Sequence, residues 1–357
     1  MRIEVDCNRI KRNTEAVVRM CAEQDIELVG VTKACCGHPD VARAILAGGV
    51  KMLGESRLRN VRRIREAGID AACMLLRLPS LSEVEDVVAL TQVSLNSEVE
   101  TLRRLSRAAA DQGRIHQVIL MVETGDRREG VMPEDALEVA RIVRGLPGLH
   151  LVGIGTNLAC IGGVVPTRGN VQLLVDVAEA AERALRFRFE VISGGHTSNF
   201  DMLMAHELPP RVNQLRSGES LLLGVNSTTN NPLPCPHQDV FNVVAEVIEL
   251  KTKPSLPDGP ITVDAMGRVP HWDDLGPRQR AIVAMGEQDM RIDGLRPKRH
   301  GVFVVGASSD HTVVDVTDAE PPVKLGDELA FDPIYAAMAT AMASAGVTKV
   351  VTPNKQQ

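Results

Sequence analysis

Residues 27–49 read ELVGVTKACCGHPDVARAILAGG, and the order of textures within them decides what fold to expect. Leu28 to Val31 is a short continuous apolar run, the pattern of a strand covered on both faces. Lys33 ends it. Small residues and Gly37 follow, then Pro39 at the head of an amphipathic stretch that stops at Gly48, so strand, turn and helix succeed one another here. A lysine at such a strand end either reaches water or is kept because its amine acts.

The same unit recurs along the chain. Further apolar runs stand at 51–56 (KMLGES), 72–79 (ACMLLRLP), 92–97 (QVSLNS), 116–124 (HQVILMVET), 149–157 (LHLVGIGTN), 189–195 (FEVISGG) and 216–224 (RSGESLLLG), with helical segments between them. Eight strand-and-helix units predict an α/β fold, a parallel (β/α)8 TIM-like barrel over residues 10–225. Beyond it, VNSTTNNPLPCPHQ is a polar, proline-containing loop. Strand-like runs such as VFNVVAEVIELK and HGVFVVGASSDHTVVDV then predict a mostly β C-terminal domain over 226–357, which a strand at 1–9 can join.

Composition narrows the function. A net charge of −6 and 2% aromatic residues give neither a phosphate-tracking groove nor stacking platforms, so nucleic acid is not expected as a partner. The start MRIEVDCNRIKRNTEAVVRM has no leader-like apolar core and no run approaches a membrane span, so a soluble cytoplasmic protein is expected. The seven cysteines are odd in number and contain no C-x-x-C, which predicts reduced thiols rather than disulfides or a metal site.

Active sites of such barrels lie where strands end, so Lys33, residues 123–128, Asn157, SGGHTS (193–198) and Arg216 should converge on one mouth. A lysine there suits Schiff-base chemistry, because burial favours its neutral form. SGGHTS and RSGES (216–220) offer hydroxyls and backbone amides to an anion.

In this order, VGVTKACCGHPDVARAILAGG, GDRREG, VGIGTN, SGGHTS, LRSGE and GASSDHTVVDV resemble the alanine racemase family of fold-type III pyridoxal-phosphate enzymes, most closely its ornithine racemase and amino-acid racemase branch. The resemblance spans essentially the whole chain. It implies interconversion of the L and D forms of an amino acid, ornithine- or lysine-like or of a broader set, by two-base proton transfer at Cα, with pyridoxal 5'-phosphate attached to Lys33 and a homodimer with shared active sites. It also implies Arg128 near the cofactor's phenolic oxygen, Ser198 with the Gly218 and Glu219 amides around its phosphate, and Arg216, supported by Asn157, facing its ring nitrogen. Tyr335, the single tyrosine, falls where the family binds phosphate from the β domain.

Departures from the family pattern bear on the second base and on the substrate. Asp264 stands where the family has its second catalytic tyrosine, Met121 where many members carry a modified lysine, Asn157 where a histidine supports the arginine, and Cys36 where a tyrosine follows the lysine. The second base is therefore expected to be Asp264 or His311 of the partner subunit. A carboxylate needs burial to raise it from near 3.9, whereas an imidazole ordinarily titrates near 6.5. Glu219, Asp273 and Asp274 could meet a distal ammonium, and Ser309 and Asp310 are further candidate substrate contacts, which favours ornithine or lysine over alanine. Two other readings stay open: a pyridoxal-phosphate homeostasis protein, which would stop after the barrel, and a fold-type III aldolase, which would need a His/Asp metal cluster.

Overall fold

A side chain at Gly30 would place its Cβ 2.4 Å from Ile45 Cγ2, so this face of the strand lies hard against the helix Pro39–Ala47, and Val29 and Val31 point the opposite way. Every unit of the barrel repeats that arrangement of strand inside and helix outside. The structure is a computed structural model, and residues 1–353 are described.

Strand β1 (Arg2–Asp6) and the helix Cys7–Ala22 precede the barrel. Its parallel strands are β2 (Glu27–Val31), β3 (Met52–Glu55), β4 (Ala72–Leu75), β5 (Val93–Asn96), β6 (His116–Met121), β7 (Leu149–Gly155), β8 (Val191–His196) and β9 (Gln214–Ser217). They pair in sequence order, and β9 closes on β2 with Val29 opposite Arg216. Val29, Met74, Val93, Leu95, Ile119, Met121 and Val152 pack into one cluster. Leu75 packs with Leu58, Val84, Val87, Val88 and Leu105 from the neighbouring helices. Burial on both faces explains why these strands show no polar alternation.

Two local expectations change. The run 216–224 divides, with Gln214–Ser217 as strand and Glu219–Leu223 as a short helix. At Gly218 between them a Cβ would lie 2.8 Å from the Val31 carbonyl oxygen, so the chain turns where only a glycine fits. Strand β2 ends at Val31, and Lys33 opens a 3-10 turn over Lys33–Cys35.

The chain forms two compact units, Asn8–Gln238 and Met1–Cys7 with Asp239–Pro353. The polar loop after Gly224 goes with the barrel, beyond the boundary expected at 225. Asn13 grips both backbone groups of His237, donating to its carbonyl at 2.7 Å and accepting from its N–H at 3.0 Å, and Leu233 N–H donates to Gly224 O at 2.9 Å.

The second unit contains β10 (Phe241–Pro254), β11 (Pro277–Val283), β12 (Leu295–Pro297), β13 (Phe303–Ala307), β14 (Thr312–Asp315), β15 (Glu328–Pro333) and β16 (Thr348–Thr352). Their order is β12-β15-β10-β11-β14-β13, all neighbours antiparallel. Strand β1 joins it, antiparallel to β10 and parallel to β16. Among the described residues no helix is long and apolar enough to cross a membrane.

Candidate active site

Lys33 owes its place to a buried carboxylate that sequence reasoning passed over. Glu55, at the end of β3 and fully buried, accepts from Thr32 Oγ1 at 2.6 Å, Asn60 Nδ2 at 2.9 Å and Ser56 N–H at 3.0 Å. These bonds tie the residue preceding Lys33 to the next strand. The Lys33 side chain is open to the mouth of the barrel, yet it is set so deep that desolvation dominates and lowers its pKa. Cys160 and Glu55 oppose that fall, while Arg128 and Arg216 add to it. The amine's preference for its neutral form follows from that desolvation.

The loop after β6 carries Arg128. Glu123, buried, accepts from the N–H of Gly125 and, at 3.1 Å, from that of Arg128, and so fixes the backbone under the guanidinium. Asp126 accepts from the N–H groups of Cys160 and Ile161, each at 3.0 Å, binding this loop to the one after β7. Gly130 closes the loop with φ +133, where a Cβ would meet Glu123 N at 2.6 Å and the carbonyl carbon of Val122 at 2.7 Å. Gly130→Ala is expected to cost about 1–3 kcal/mol through the strained backbone. Urea unfolding measures it, and an unchanged midpoint would show that the loop absorbs the methyl group.

Arg216, from β9, is buried and among the described residues is bonded to neutral groups, Ser193 Oγ, Thr156 O at 2.7 Å and Asn157 Oδ1 at 2.8 Å. Burial brings its pKa down to about 10, so it remains charged at neutral pH. His196 Nε2 lies 2.7 Å from Leu158 O and 3.5 Å from Cys160 Sγ, and its Nδ1 accepts from Ser198 N–H at 3.4 Å. Burial lowers its pKa to about 4, so the ring is neutral and braces the two loops. In the turn Thr197–Asn199 after β8, Ser198 Oγ is buried and has no hydrogen-bond partner among the described residues. Glu219, half-buried at the head of the Glu219–Leu223 helix, is raised to about 7 by desolvation and pulled back only by the charge of Lys33.

The barrel unit thus carries Lys33, Arg128, Asn157, Ser198, Arg216, Gly218 and Glu219. The other candidates lie on the β unit. Asp264 is held low rather than raised in this chain. It accepts from Arg268 N–H at 2.8 Å, Met266 N–H at 2.9 Å and Arg268 Nε at 2.9 Å, which hold it below the usual carboxylate range. His311 Nδ1 lies 2.7 Å from Asp310 Oδ1, and that bond keeps Asp310 low. Ser309 Oγ is 3.4 Å from Asp310 Oδ1, Asp273 is exposed and 3.7 Å from His271, and Tyr335 opens the helix Tyr335–Ala343. Among the described residues no group of three or more His, Cys, Asp or Glu is arranged to hold a metal ion.

Residues 5–225 match the model of the alanine racemase N-terminal domain. The chain belongs to the alanine racemase family. A lysine racemase of Thermotoga maritima is similar at 42% identity over 354 residues, 99% of this chain and 99% of the relative. An ornithine racemase of Acetoanaerobium sticklandii is 36% identical over 349 residues, 98% of each chain. Among solved structures, an alanine racemase of Clostridium difficile superposes with a TM-score of 0.74 at 19% identity, over 99% of this chain and 96% of that one, a likeness of fold. In this racemase-family chain, sequence reasoning also missed Glu129, although GDRREG was singled out. Its role shows only once Arg128 and Asn157 are placed on either side of it.

Proposed function

We propose that this protein is a pyridoxal-phosphate-dependent amino-acid racemase acting on lysine- or ornithine-like substrates. The observation that carries the cofactor is the pairing of a deeply set lysine favouring its neutral form with a buried Ser198 hydroxyl that has no partner of its own. Lys33 would hold the cofactor's carbonyl carbon, Ser198 with the Gly218 and Glu219 amides its phosphate, Arg216 its ring nitrogen and Arg128 its phenolic oxygen. When bound, pyridoxal phosphate supplies the electron sink that makes the Cα proton of an amino acid removable.

Lys33, whose neutral form desolvation favours, takes or returns that proton on one face. Arg216 keeps its own proton at neutral pH, so no proton passes from it to the ring nitrogen, which favours return of the proton to Cα. Inversion needs a second group on the opposite face. We assign it to His311 of the partner subunit, in a homodimer with shared sites, because Asp310 orients its ring while Asp264 is engaged by three donors. The two full-length relatives support this substrate class. Absorbance titration with pyridoxal phosphate, then a chiral assay over the common amino acids and ornithine, tests the proposal. No cofactor band, or a preference for alanine in kcat/KM, sinks it.

Glu219 supplies the substrate prediction. No donor satisfies its half-buried carboxyl strongly enough to offset desolvation, and a distal ammonium would. A charge-assisted hydrogen bond contributes about 1.5–3 kcal/mol, so Glu219→Gln should lower kcat/KM for lysine and ornithine roughly 10- to 100-fold and leave alanine little changed. The carboxyl must be ionised to pair. Affinity of the parent enzyme for lysine should therefore rise as pH passes upward through about 7, and this rise should vanish in the variant. Equal losses for lysine and alanine would remove Glu219 from substrate selection.

A further inference from the structure

Arg128 reaches the site from the loop after β6 and Arg216 from β9, and both would be drawn to any anion near them, so something must set where each guanidinium points. Glu129 touches one of them and reaches the other through a single side chain. Nε and Nη2 of Arg128 donate to its two carboxylate oxygens as a bidentate fork. Oε1 of Glu129 also accepts from Asn157 Nδ2 at 2.5 Å, and Asn157 Oδ1 accepts from Arg216 Nη2 at 2.8 Å.

We infer that Glu129 is a positioning residue, which clamps Arg128 directly and fixes Arg216 through the amide of Asn157, so that both guanidiniums are held as one charge-compensated unit. The inference rests on the pyridoxal-phosphate reading above.

The argument turns on what an amide can do. Asn157 has one accepting and one donating end. A carboxylate accepts only, so Glu129 selects the donating end and leaves the oxygen for Arg216. The reverse orientation would set the amide N–H groups against a guanidinium and its oxygen against a carboxylate. Charge points the same way. The groups bonded to Arg216 are all neutral, and Glu129 is the negative group that does most to keep its proton on against desolvation. Glu129 itself is held below the usual carboxylate range: burial would raise it, but Arg128 and Asn157 outweigh that. Its side chain is only 13% exposed, so this is not a screened surface pair.

Full-length Glu129→Leu, Glu129→Asp and parent protein are titrated with pyridoxal phosphate, recording the dissociation constant and the absorbance of bound cofactor against pH. Glu129→Leu is expected to weaken cofactor binding about tenfold or more. Loss of the negative neighbour makes the Arg216 proton easier to remove, so any alkaline change in the bound-cofactor band should move to lower pH by about one unit or more. Glu129→Asp, which keeps the charge, should restore most of both. A purely structural role would lower the unfolding temperature without moving the band. Parent-like affinity and parent-like pH dependence in Glu129→Leu overturn the inference. A parent protein that shows no cofactor band overturns instead the reading beneath it, so the two failures are distinguishable in one experiment.

Discussion

Lys33→Ala is expected to abolish the cofactor absorbance band and racemisation together, with activity falling by at least about 10³-fold. Acid-base catalysis alone contributes roughly 10²–10⁴-fold, and the covalent hold on the cofactor is lost as well. The fold should survive. Glu55 binds Thr32, Ser56 and Asn60 without using the lysine, and the lysine side chain is open to the mouth rather than packed in the core. Removing an amine whose charged form is penalised by desolvation should leave the unfolding midpoint close to that of the parent. Borohydride reduction of the parent followed by peptide mapping identifies the attached lysine. A reducible adduct on another lysine, or an unaltered band in Lys33→Ala, contradicts the assignment.

The barrel was legible because parallel strands covered on both faces must be apolar at successive positions, and runs such as HQVILM and LHLVGIG show this without any partner. The second half of RSGESLLLG misled for the same reason. Three leucines after a glycine turn suit a buried strand or a buried helix equally, and only the approach of Gly218 to Val31 separates them. That Lys33, Arg128 and Arg216 would lie close together could be expected in advance, since a barrel gathers the ends of several strands and the loops after them on one face. Glu55 and Glu129 could not. Each links a neighbour in sequence to a residue far along the chain, Glu55 to Thr32 and Glu129 to Asn157, and an acidic residue among arginines reads as a solvated surface charge. Asp264 was placed by its alignment with a catalytic position, whereas what sets its charge is local: the Met266 and Arg268 N–H groups and Arg268 Nε, two and four residues further on, hold its carboxyl low.

His311→Gln should slow racemisation by roughly 10²–10⁴-fold, the range of a lost general acid or base, while the cofactor still binds. Inversion at Cα requires that the proton leave from one face and another arrive on the opposite face, and Lys33 serves only one of them. The second group must both give and take a proton. A carboxylate held low by three donors does not readily take one up, whereas an imidazole whose Nδ1 is engaged by Asp310 at 2.7 Å leaves Nε2 to exchange a proton with substrate. Asp310→Asn should therefore act in the same direction but more weakly, and Asp264→Asn should stay within a few-fold of the parent. Isotope exchange in deuterated water separates the two faces. In His311→Gln, the enantiomer whose Cα proton faces Lys33 should still exchange it, and the other enantiomer should exchange slowly. Parent-like racemisation in a dimeric, cofactor-loaded His311→Gln protein would remove His311 from the reaction, and equal loss of exchange from both enantiomers would make its role structural rather than that of one base of a pair.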